Sequence, residues 1–511
     1  MFVRKKRNRS GSVSVHIVEK KNGRYRIVHV VGCSSNEKEI TCLYEEAHHM
    51  IPRIMNQRSL GFMTEPDRII SNFFQGIGKL DIRVIGPELI LGPVFDRIGF
   101  NSIQSELFRD IVIARLAYPT SKLKTVDYLE RYKGIHIDIS KLYRFMDELH
   151  RSYKNQAEDI AYRHTKNVLG ESISVVFYDM TTLYFEAEDE DDLRKIGFSK
   201  DGKFQNPQIM LGLLVGKEGL PIGYDIFEGN TFEGHTLLPT LEAIQKKYGF
   251  GKPVVVADAA LLSNENIRSL AEENYCFIIG GRIRNESMEI QKQILEQARG
   301  MQDRDSFVIK KPDRTRLVVT YSDKRAKKDL NNRERGLRKL RQRVNTGRLT
   351  KENISNRGYN KFLVLKGDIK VSIDDAKVEE DALWDGLKGY VTNSRLPIKS
   401  VVENYAQLWQ IEKAFRISKT DLRVRPIHHY RKRRIEAHVC IAFVAYAIYK
   451  ELERQLAKHK IKISAKRAIE LSQTIYELRY VLPDSQEHES VILKQTKEQD
   501  DLLRIVSKTS K

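Results

Sequence analysis

The sequence predicts an α/β protein in which a mixed sheet is flanked by helices. From about Ser172 onward, β-branched and aromatic runs predict three consecutive strands. A strand, a helix and another strand follow before about residue 285, and this succession predicts both parallel and antiparallel neighbours. On both sides of this segment, apolar residues recur every three or four positions, which is the spacing of amphipathic helices.

The N-terminal segment alternates between apolar and polar residues around Asn22-Gly23, a pair typical of tight turns between strands. Residues 1–37 are therefore predicted to form a small basic β unit. Residues 38–165 show helical spacing, with a break at Pro119-Thr120-Ser121 followed by a helix cap. Two interpretations of this helical region stay open: a nucleic-acid-binding module that uses its arginines, or an ordinary amphipathic bundle.

The central strands can be assigned one by one. "SISVVFYDMTTLYFE" predicts the first, and "NPQIMLGLLVGKEGLPIGYDIFEGN" predicts two more joined at Lys217-Glu218-Gly219. "KPVVVADAALLSNENIRSLAEEN" predicts a strand, a turn and a helix capped near Ser263, and "YCFIIGGRIR" predicts a fifth strand.

The following hundred residues interrupt this pattern with the short β-like pieces "DSFVIKKP", "RTRLVVTYS" and "NKFLVLKG". Between them, residues 324–353 contain twelve basic and three acidic side chains, which predicts a helix with a strongly positive surface. Such a helix can be merely solvated, but the imbalance of charge favours contact with phosphate. After about Tyr390 the spacing becomes helical again, and a polar tail follows.

Composition limits the possible partners and compartments. The chain of 511 residues contains 88 Lys and Arg against 68 Asp and Glu, a net charge of +20 that favours a polyanionic partner. It contains no run of about 18 apolar residues, so no membrane association is expected. Its first residues lack the apolar segment of a secretory signal, and its four cysteines are scattered. The expected location is the cytoplasm.

Two aspartates follow apolar strands directly, Asp179 in "VVFYDMTTLYF" and Asp258 in "VVVADAALLS". An ionised carboxylate is costly in such surroundings unless it is paired or bound to a metal. One aspartate of this kind is commonly a strand-end cap. Two of them at the ends of separate core strands favour a shared site.

A third carboxylate is predicted on the helix that contains "YAQLWQIEKAFRISK". Its apolar residues recur at helical spacing and place Glu412 on the same face as Tyr405, Leu408 and Trp409. Glu412 is therefore predicted to point toward the sheet and its aspartates, an arrangement that divalent cations would stabilise. Three carboxylates without histidine or thiolate ligands suit Mg²⁺ or Mn²⁺ better than zinc.

At these residues the chain resembles insertion-sequence transposases with a ribonuclease H-like catalytic domain and a DDE triad. The resemblance is to the branch with a Tyr-(2)-Arg-(3)-Glu-(6)-Lys signature, which is matched here by Tyr405, Glu412 and Lys419, with Leu408 at the Arg position. "GLPIGYDIFEGNTFEGHTL" resembles the stretch before the second Asp, and "DGLKGYVTNS" resembles the strand before the Glu helix. The resemblance covers roughly residues 170–450.

The resemblance implies a ribonuclease H-like mixed sheet flanked by helices and interrupted by a β-rich insertion, with an N-terminal β-hairpin and helical regions. It implies that Asp179, Asp258 and Glu412 form the catalytic triad and hold two metal ions for phosphoryl transfer. The expected segments are a β unit (1–37), a helical DNA-end-binding region (38–165), a first catalytic segment (166–285), the insertion with its basic helix (286–390), a second catalytic segment (391–460) and a helical, polar tail (461–511).

The resemblance also implies contacts with DNA phosphates. Tyr405 and Lys419 are expected to flank the scissile bond, Lys413 or Arg416 to substitute to some extent for the missing arginine, and an arginine introduced at Leu408 to tighten DNA binding. A basic run after the catalytic helix is either a DNA groove or a solvated linker, and the groove is favoured. Its predicted DNA contacts are Arg423, Arg425, Arg431, Lys432 and Arg433. Trp384 is predicted to stack on an unpaired base.

The expected partners are double-stranded DNA, namely the element's terminal inverted repeats and the target, and a second copy of the chain in the DNA complex. The expected setting is the bacterial nucleoid. Two other functions stay open: a metal-dependent nuclease without strand transfer, and a relict that binds DNA without chemistry. The large insertion argues against a minimal nuclease, and the intact triad argues against a relict.

Overall fold

The structure is a computed structural model. It describes residues 1–21, 23–55, 65–76, 81–170, 173–249, 251–258, 264–346, 349, 354–355, 358–366, 370–482 and 485–508. The chain divides into two compact units, the first formed by Met1–Gly78 with Pro483–Ser485 and the second by Lys79–Leu482 with Gln486–Lys511. Among the described helices, none has the length and apolar character needed to cross a membrane.

The first unit contains a three-stranded antiparallel sheet and two helices. Its elements are β1 (Phe2–Arg7), β2 (Val13–Lys21), β3 (Arg24–Ser34), α1 (Glu37–Ile54) and α2 (Glu65–Gly76). The predicted hairpin is confirmed, since Lys21 pairs with Arg24 across the turn. Gly23 has a φ of +78°, which glycine adopts without strain; Asn22 lies outside the described residues. Val15 and Ile17 of β2 pack against Ala47 of α1 to form the core of this unit.

The second unit is built around an eight-stranded sheet. The strands of this unit are β4 (Ile82–Val84), β5 (Val175–Tyr184), β6 (Gln208–Val215), β7 (Pro221–Glu228), β8 (Val254–Ala257), β9 (Phe277–Gly281), β10 (Ser306–Lys310), β11 (Arg316–Tyr321), β12 (Leu363–Lys366), β13 (Lys370–Ile373), β14 (Leu387–Thr392), β15 (Tyr476–Val481) and β16 (His488–Ile492). The order in the large sheet is β10-β11-β14-β9-β8-β5-β6-β7.

Helices pack against this sheet. They are α3 (Gly86–Ile98), α4 (Glu106–Ala117), α5 (Lys122–Tyr128), α6 (Ile139–Glu148), α7 (Lys154–Leu169), α8 (Leu237–Tyr248), α9 (Asn264–Glu272), α10 (Met288–Gln297), α11 (Asp323–Asn345), α12 (Asp375–Ala382), α13 (Ile398–Ala406), α14 (Trp409–Arg416), α15 (Lys432–Lys458), α16 (Ala465–Ser472) and α17 (Lys497–Lys508). Ser121 caps α5 by accepting a hydrogen bond from the Lys124 N–H, as predicted. The predicted cap at Ser263 lies outside the described residues.

The five central strands have a ribonuclease H-like arrangement. β5, β6 and β7 form an antiparallel meander, β8 lies parallel to β5 on its other side, and β9 lies parallel to β8. The five strands predicted from sequence are all present, and the turn at Lys217–Gly219 joins β6 to β7. This confirms the predicted mixed α/β sheet.

Most residues of β5 are apolar because both of its faces are buried, and Asp179 interrupts them in the middle of the strand. Phe177 and Leu183 point into a core shared with α13, α14 and α15, which we call the helix-covered face. Tyr178 and Met180 point into the opposite core, which contains α8 and α9. This alternation decides which side chains can reach the same site.

The helical region predicted for residues 38–165 is divided between the two units. α1 and α2 belong to the first unit, whereas α3 to α7 belong to the second. Phe108 of α4 and Leu142 of α6 are buried in the same core as the sheet and α15. Most of this region therefore packs against the large sheet, which agrees with the amphipathic-bundle interpretation for α3 to α7.

The segment predicted as a β-rich insertion is also divided. β10, β11 and β14 continue the large sheet beyond β9, because β14 pairs with both β9 and β11. Only α11, β12 and β13, with the turn before β12, build a small core of their own, around Leu337, Phe362 and Leu363. The predicted basic helix is present as α11.

The C-terminal segment contains strands as well as the predicted helices. β15 lies between β16 and β4 in a small antiparallel sheet. The segment 461–511 is therefore not a simple helical tail, since its strand β15 pairs with a strand that precedes α3.

Candidate active site

Asp179 lies in the middle of β5, opposite Leu213 of β6, so the prediction that it ends a strand is wrong; Asp258 directly follows β8, as predicted. Phe177 pairs with Val256 and Tyr178 with Ala257, so one further step along each strand reaches the two aspartates. Phe177 and Val256 both point to the helix-covered face, and side chains two residues apart share a face. Because neighbouring strands are about 4.8 Å apart, the two carboxylates project side by side on that face.

The surroundings of Asp179 favour its protonated form. The pKa of Asp179 is raised to about 6, mainly because the carboxylate is buried, and the negative charges of Glu233 and Asp258 contribute to the rise. The Lys200 ammonium and the Met180 backbone N–H, which donates to Asp179 Oδ1 at 2.7 Å, act in the opposite direction. The neighbouring negative charges of Glu233 and Asp258 favour a cation beside Asp179.

Lys200 and Glu233 complete the immediate environment of Asp179. Lys200 Nζ lies 2.8 Å from Glu233 Oε1 and 3.9 Å from Asp179 Oδ1, and it donates a hydrogen bond to the Met180 carbonyl at 2.8 Å. The sequence arguments missed both residues. Glu233 lies in the motif that begins at Gly219 and could have been found there, whereas Lys200 lies in the loop between β5 and β6 and has no sequence signal.

The helix predicted to carry Glu412 is in fact two helices, α13 and α14, separated by Gln407 and Leu408. The N–H groups of Gln407, Leu408 and Ile411 bond to carbonyls three residues earlier. This tighter winding, of about 3.0 residues per turn, shifts the phase of the residues that follow.

The phase shift changes which side chains are buried. Tyr405 and Leu408 remain in the core, at 9% and 8% exposed, and Ile411 joins them. Glu412 is exposed, and Trp409 is 50% exposed. The prediction that Glu412 lies on a buried stripe is therefore wrong: it lies at the solvent-facing boundary of α14.

Tyr405 lies between the second aspartate and the glutamate. Burial raises the pKa of its hydroxyl above the ordinary value, and the charge of Asp258, a hydrogen bond with that carboxylate and the charge of Glu412 add to the effect. Tyr405 thus lies close to both Asp258 and Glu412. The structure brings Asp179, Asp258, Tyr405 and Glu412 to one edge of the helix-covered face.

The donors at this edge suit a hard divalent cation, since they are carboxylate oxygens only. The Lys200 ammonium beside Asp179 and Glu233 shows that this position accepts positive charge. Within the ranges that the structure describes, no three acidic, histidine or cysteine side chains converge closely enough to hold a metal ion as they stand. A complete ligand set would require Glu412 to approach the two aspartates.

Several residues predicted to contact DNA form ion pairs within the protein. Lys419 Nζ lies 3.1 Å from Asp201, and Arg425 lies 3.3 Å from the same carboxylate. Lys413 pairs with Glu453 of α15.

Arg433 and Arg434 of the basic run both bind Asp147 of α6 through two hydrogen bonds each. They hold the pKa of Asp147 down at about 2, Arg434 contributing most. The other predicted contacts, which are exposed, are Arg416, Arg423, Arg431 and Lys432.

Trp384 does not offer the stacking surface predicted for it. Its side chain is 7% exposed and belongs to the core on the sheet face opposite the acidic site. The Arg284 guanidinium lies 5.9 Å from its ring centroid. The tryptophan with an accessible ring is Trp409.

The sheet order and the acidic edge together define a protein of the ribonuclease H-like class with a carboxylate site. The chain belongs to the transposase DDE domain family, whose model matches residues 170–448, more than half of the chain. It is therefore a transposase, an enzyme of DNA cleavage and strand transfer. DDE transposases generally use divalent metal ions.

Two solved structures show more distant similarity. The piggyBac transposase synaptic complex with hairpin DNA has 10% identity and a TM-score of 0.37, covering 81% of this chain and 80% of that one. The Mos1 transposase paired-end complex with the left transposon end has 11% identity and a TM-score of 0.15, covering 46% and 74%. A comparison with curated proteins gave no significant match.

Proposed function

We propose that Asp179, Asp258 and Glu412 are the catalytic triad that cleaves DNA at the ends of an insertion sequence and joins the freed ends to a target. The observation that carries this proposal is the pair of aspartates, which continue the register of β5 and β8 on the helix-covered face. Glu412 belongs to the helix on that face, and its charge acts on Tyr405 together with that of Asp258.

We further propose that the three carboxylates hold two Mg²⁺ or Mn²⁺ ions. When bound, these ions would activate a water or a DNA 3′-hydroxyl for in-line attack and stabilise the leaving 3′-oxygen. Asp179 would lose its bias toward protonation, because a cation offsets the charges of Glu233 and Asp258. The Lys200 ammonium would withdraw from Asp179 and stay paired with Glu233. Glu412 would approach from the boundary of α14.

DNA would reach this edge along basic surfaces of the second unit. The exposed side chains of α11 include nine Lys or Arg and two acidic residues, an excess suited to phosphate contacts. Exposed cations beside the acidic edge, such as Arg416, would add to this path. Among the predicted DNA contacts, Lys413, Lys419, Arg425 and Arg433 would have to exchange a carboxylate partner for a phosphate.

The DNA partners would be the terminal inverted repeats and the target, bound in the bacterial cytoplasm at the nucleoid. Two copies of the chain would act together, because both ends of the element must be joined at one target. The net charge of +20 disfavours self-association until phosphates neutralise it. We therefore expect the free protein to be monomeric and to pair when two end sequences are supplied.

The proposal is tested by a strand-transfer assay with labelled duplexes that carry the inverted repeats flanking the gene. With Mg²⁺, we expect end cleavage followed by joining to a supercoiled target, and neither reaction with EDTA. Shortened duplexes without joined product would indicate a nuclease. Binding without any cleavage would indicate a relict. Size-resolved mass measurements on the free protein and the two-end complex test the assembly.

A further inference from the structure

The signature arginine has no direct counterpart on α13 or α14. Leu408 occupies its position and is 8% exposed in the core, so it cannot contact a phosphate in this conformation. Lys413 on α14 is already paired with Glu453, and Lys419 is paired with Asp201. A phosphate near Tyr405 would therefore need a cation from another element.

Lys388 on β14 is placed to supply that cation. Its neighbour Tyr390, two residues along the strand, points into the helix-covered core, so Lys388 lies on the same face as the acidic edge. Lys388 Nζ lies 4.5 Å from the ring centroid of Tyr405 and 5.2 Å from that of Tyr390. The charge of Asp258 also acts on Lys388, which indicates that this ammonium is near the second aspartate.

Asp258 balances the charge of Lys388 at a distance and not by direct contact. Among the described residues, Lys388 makes no ion pair, and its ammonium lies over two aromatic rings instead. Aromatic faces attract a cation, but they carry no net charge and do not neutralise it as an adjacent carboxylate does. The half-buried ammonium thus keeps its capacity for an anionic ligand.

Lys388 is also reachable, since it lines an open cavity of about 650 Å³. Arg284 and Arg333 line the same cavity but are committed to Asp381 and Asp385. Arg325, at the start of α11, lines it too, and its charge acts on Lys388. Lys388 therefore lies between Tyr405 and a cavity that reaches the basic surface of α11.

We propose that Lys388 binds a DNA phosphate next to the scissile bond and thereby replaces the signature arginine. This inference rests on the proposed function, because it assigns a phosphate contact at the same site. Lys388 would position the DNA strand over the acidic edge, and the phosphate path would continue past Arg325 onto α11.

The test measures binding of the terminal-repeat duplex over a range of salt concentrations, without divalent metal. Lys388→Met should weaken binding about tenfold, the loss of one charge-assisted contact, and should lower the slope of log affinity against log salt by about 0.9. Lys388→Arg should retain most of the affinity. The matched control is Lys292→Met, which removes one exposed positive charge on α10 and should leave both quantities nearly unchanged.

A measurement on the wild-type protein covers the case in which Lys388→Met fails to fold. Single uncharged methylphosphonate linkages are placed in turn on each side of the scissile bond. One position should reproduce the loss of affinity and of slope, and at that position Lys388→Arg should respond like the wild type. If no position has this effect, the phosphate contact is excluded.

Two further outcomes separate the inference from the proposed function. If Lys388→Met binds with the affinity and slope of Lys292→Met, Lys388 only balances the charge of Asp258, and the inference is overturned even when the wild type cleaves and joins DNA. If the wild type neither cleaves nor joins DNA with Mg²⁺, the proposed function fails, while the metal-free salt slope still decides whether Lys388 contacts phosphate.

Discussion

Replacing Leu408 with arginine should destabilise the protein and should not tighten its binding to DNA. Sequence comparison alone favours the opposite result, because the resembling transposases have arginine at this position. In the structure Leu408 is 8% exposed and packs in the core between α14 and the sheet. An arginine there would have to place its guanidinium in apolar surroundings or displace the turn between α13 and α14.

The expected loss can be estimated from these surroundings. Removing the contacts of a buried leucine costs about 2–5 kcal/mol, and burying a cation without a partner adds to that cost. The neighbouring Trp409 is 50% exposed, so a long side chain could direct its charged end toward solvent and recover some of the loss. We expect a decrease of about 4 kcal/mol in the free energy of unfolding. Leu408→Met, which keeps the volume, should cost less than about 1.5 kcal/mol.

Urea unfolding followed by tryptophan fluorescence provides the assay, since the chain has two tryptophans and Trp409 is adjacent to the substitution. The wild type, Leu408→Met and Leu408→Arg are compared, and binding to the terminal-repeat duplex is measured on the same preparations. If Leu408→Arg were as stable as Leu408→Met and bound the duplex several-fold more tightly, our placement of Leu408 in the core would be refuted.

Three further predictions concern charge. Asp179→Asn should stabilise the metal-free protein at pH 8 by up to about 3 kcal/mol. The folded-state pKa of Asp179 is raised to about 6 from 3.8, so the wild type loses stability as the pH rises through that interval. Melting curves should show no gain in stability at pH 4, and an equal gain at both pH values would contradict the assigned cause. Lys122→Met should raise the urea midpoint, with a gain of about 1–3 kcal/mol in the free energy of unfolding. Lys122 is 5% exposed, burial lowers its pKa, and its Nζ has no hydrogen-bond partner among the described residues. A lower midpoint would indicate that Lys122 has an anionic partner in solution. Replacing Lys327 and Lys328 of α11 with glutamine should reduce the slope of log DNA affinity against log salt concentration by about 0.9 for each DNA phosphate that is no longer neutralised. An unchanged slope would show that these two lysines of α11 do not contact DNA.

The central strands and the two aspartates were predictable because burial on both faces forces a continuous apolar run in the sequence. A carboxylate that interrupts or ends such a run is conspicuous, as at Asp179 and Asp258. The strand–helix–strand succession predicts the parallel pairing of β8 with β9. The pairing of β5 with β8, which brings the two aspartates together, joins strands separated by β6, β7 and α8, and no local pattern predicts it.

The remaining features depend on contacts between distant regions of the chain. Lys200 reaches Asp179 and Glu233 from an irregular loop, where no periodicity marks a side chain. No proline or glycine marks the end of α13 or the start of α14 in the sequence. A single continuous helix through Leu408 is therefore the natural prediction, and it places Glu412 on the wrong face. Trp384 lies in the turn between α12 and β14, a context that fits an exposed or a buried ring equally well.

The extent of the sheet was hidden for the same reason. β10 and β11 have the composition of an independent β unit, and their connection to β9 depends on β14, which enters the sheet only after α11, β12, β13 and α12. Local patterns therefore identified the strands but could not assign them to one sheet.

End cleavage by single-carboxylate variants tests the central claim most directly. Asp179→Asn, Asp258→Asn and Glu412→Gln are compared with the wild type in Mg²⁺, and binding of the terminal-repeat duplex is measured on the same preparations. Glu403→Gln, an exposed glutamate of α13, is the matched control. We predict that each triad variant loses cleavage while binding stays within a few-fold of the wild type, and that the control cleaves normally. Cleavage at a near wild-type rate by any one of the three variants would contradict the assignment of these carboxylates as the catalytic triad.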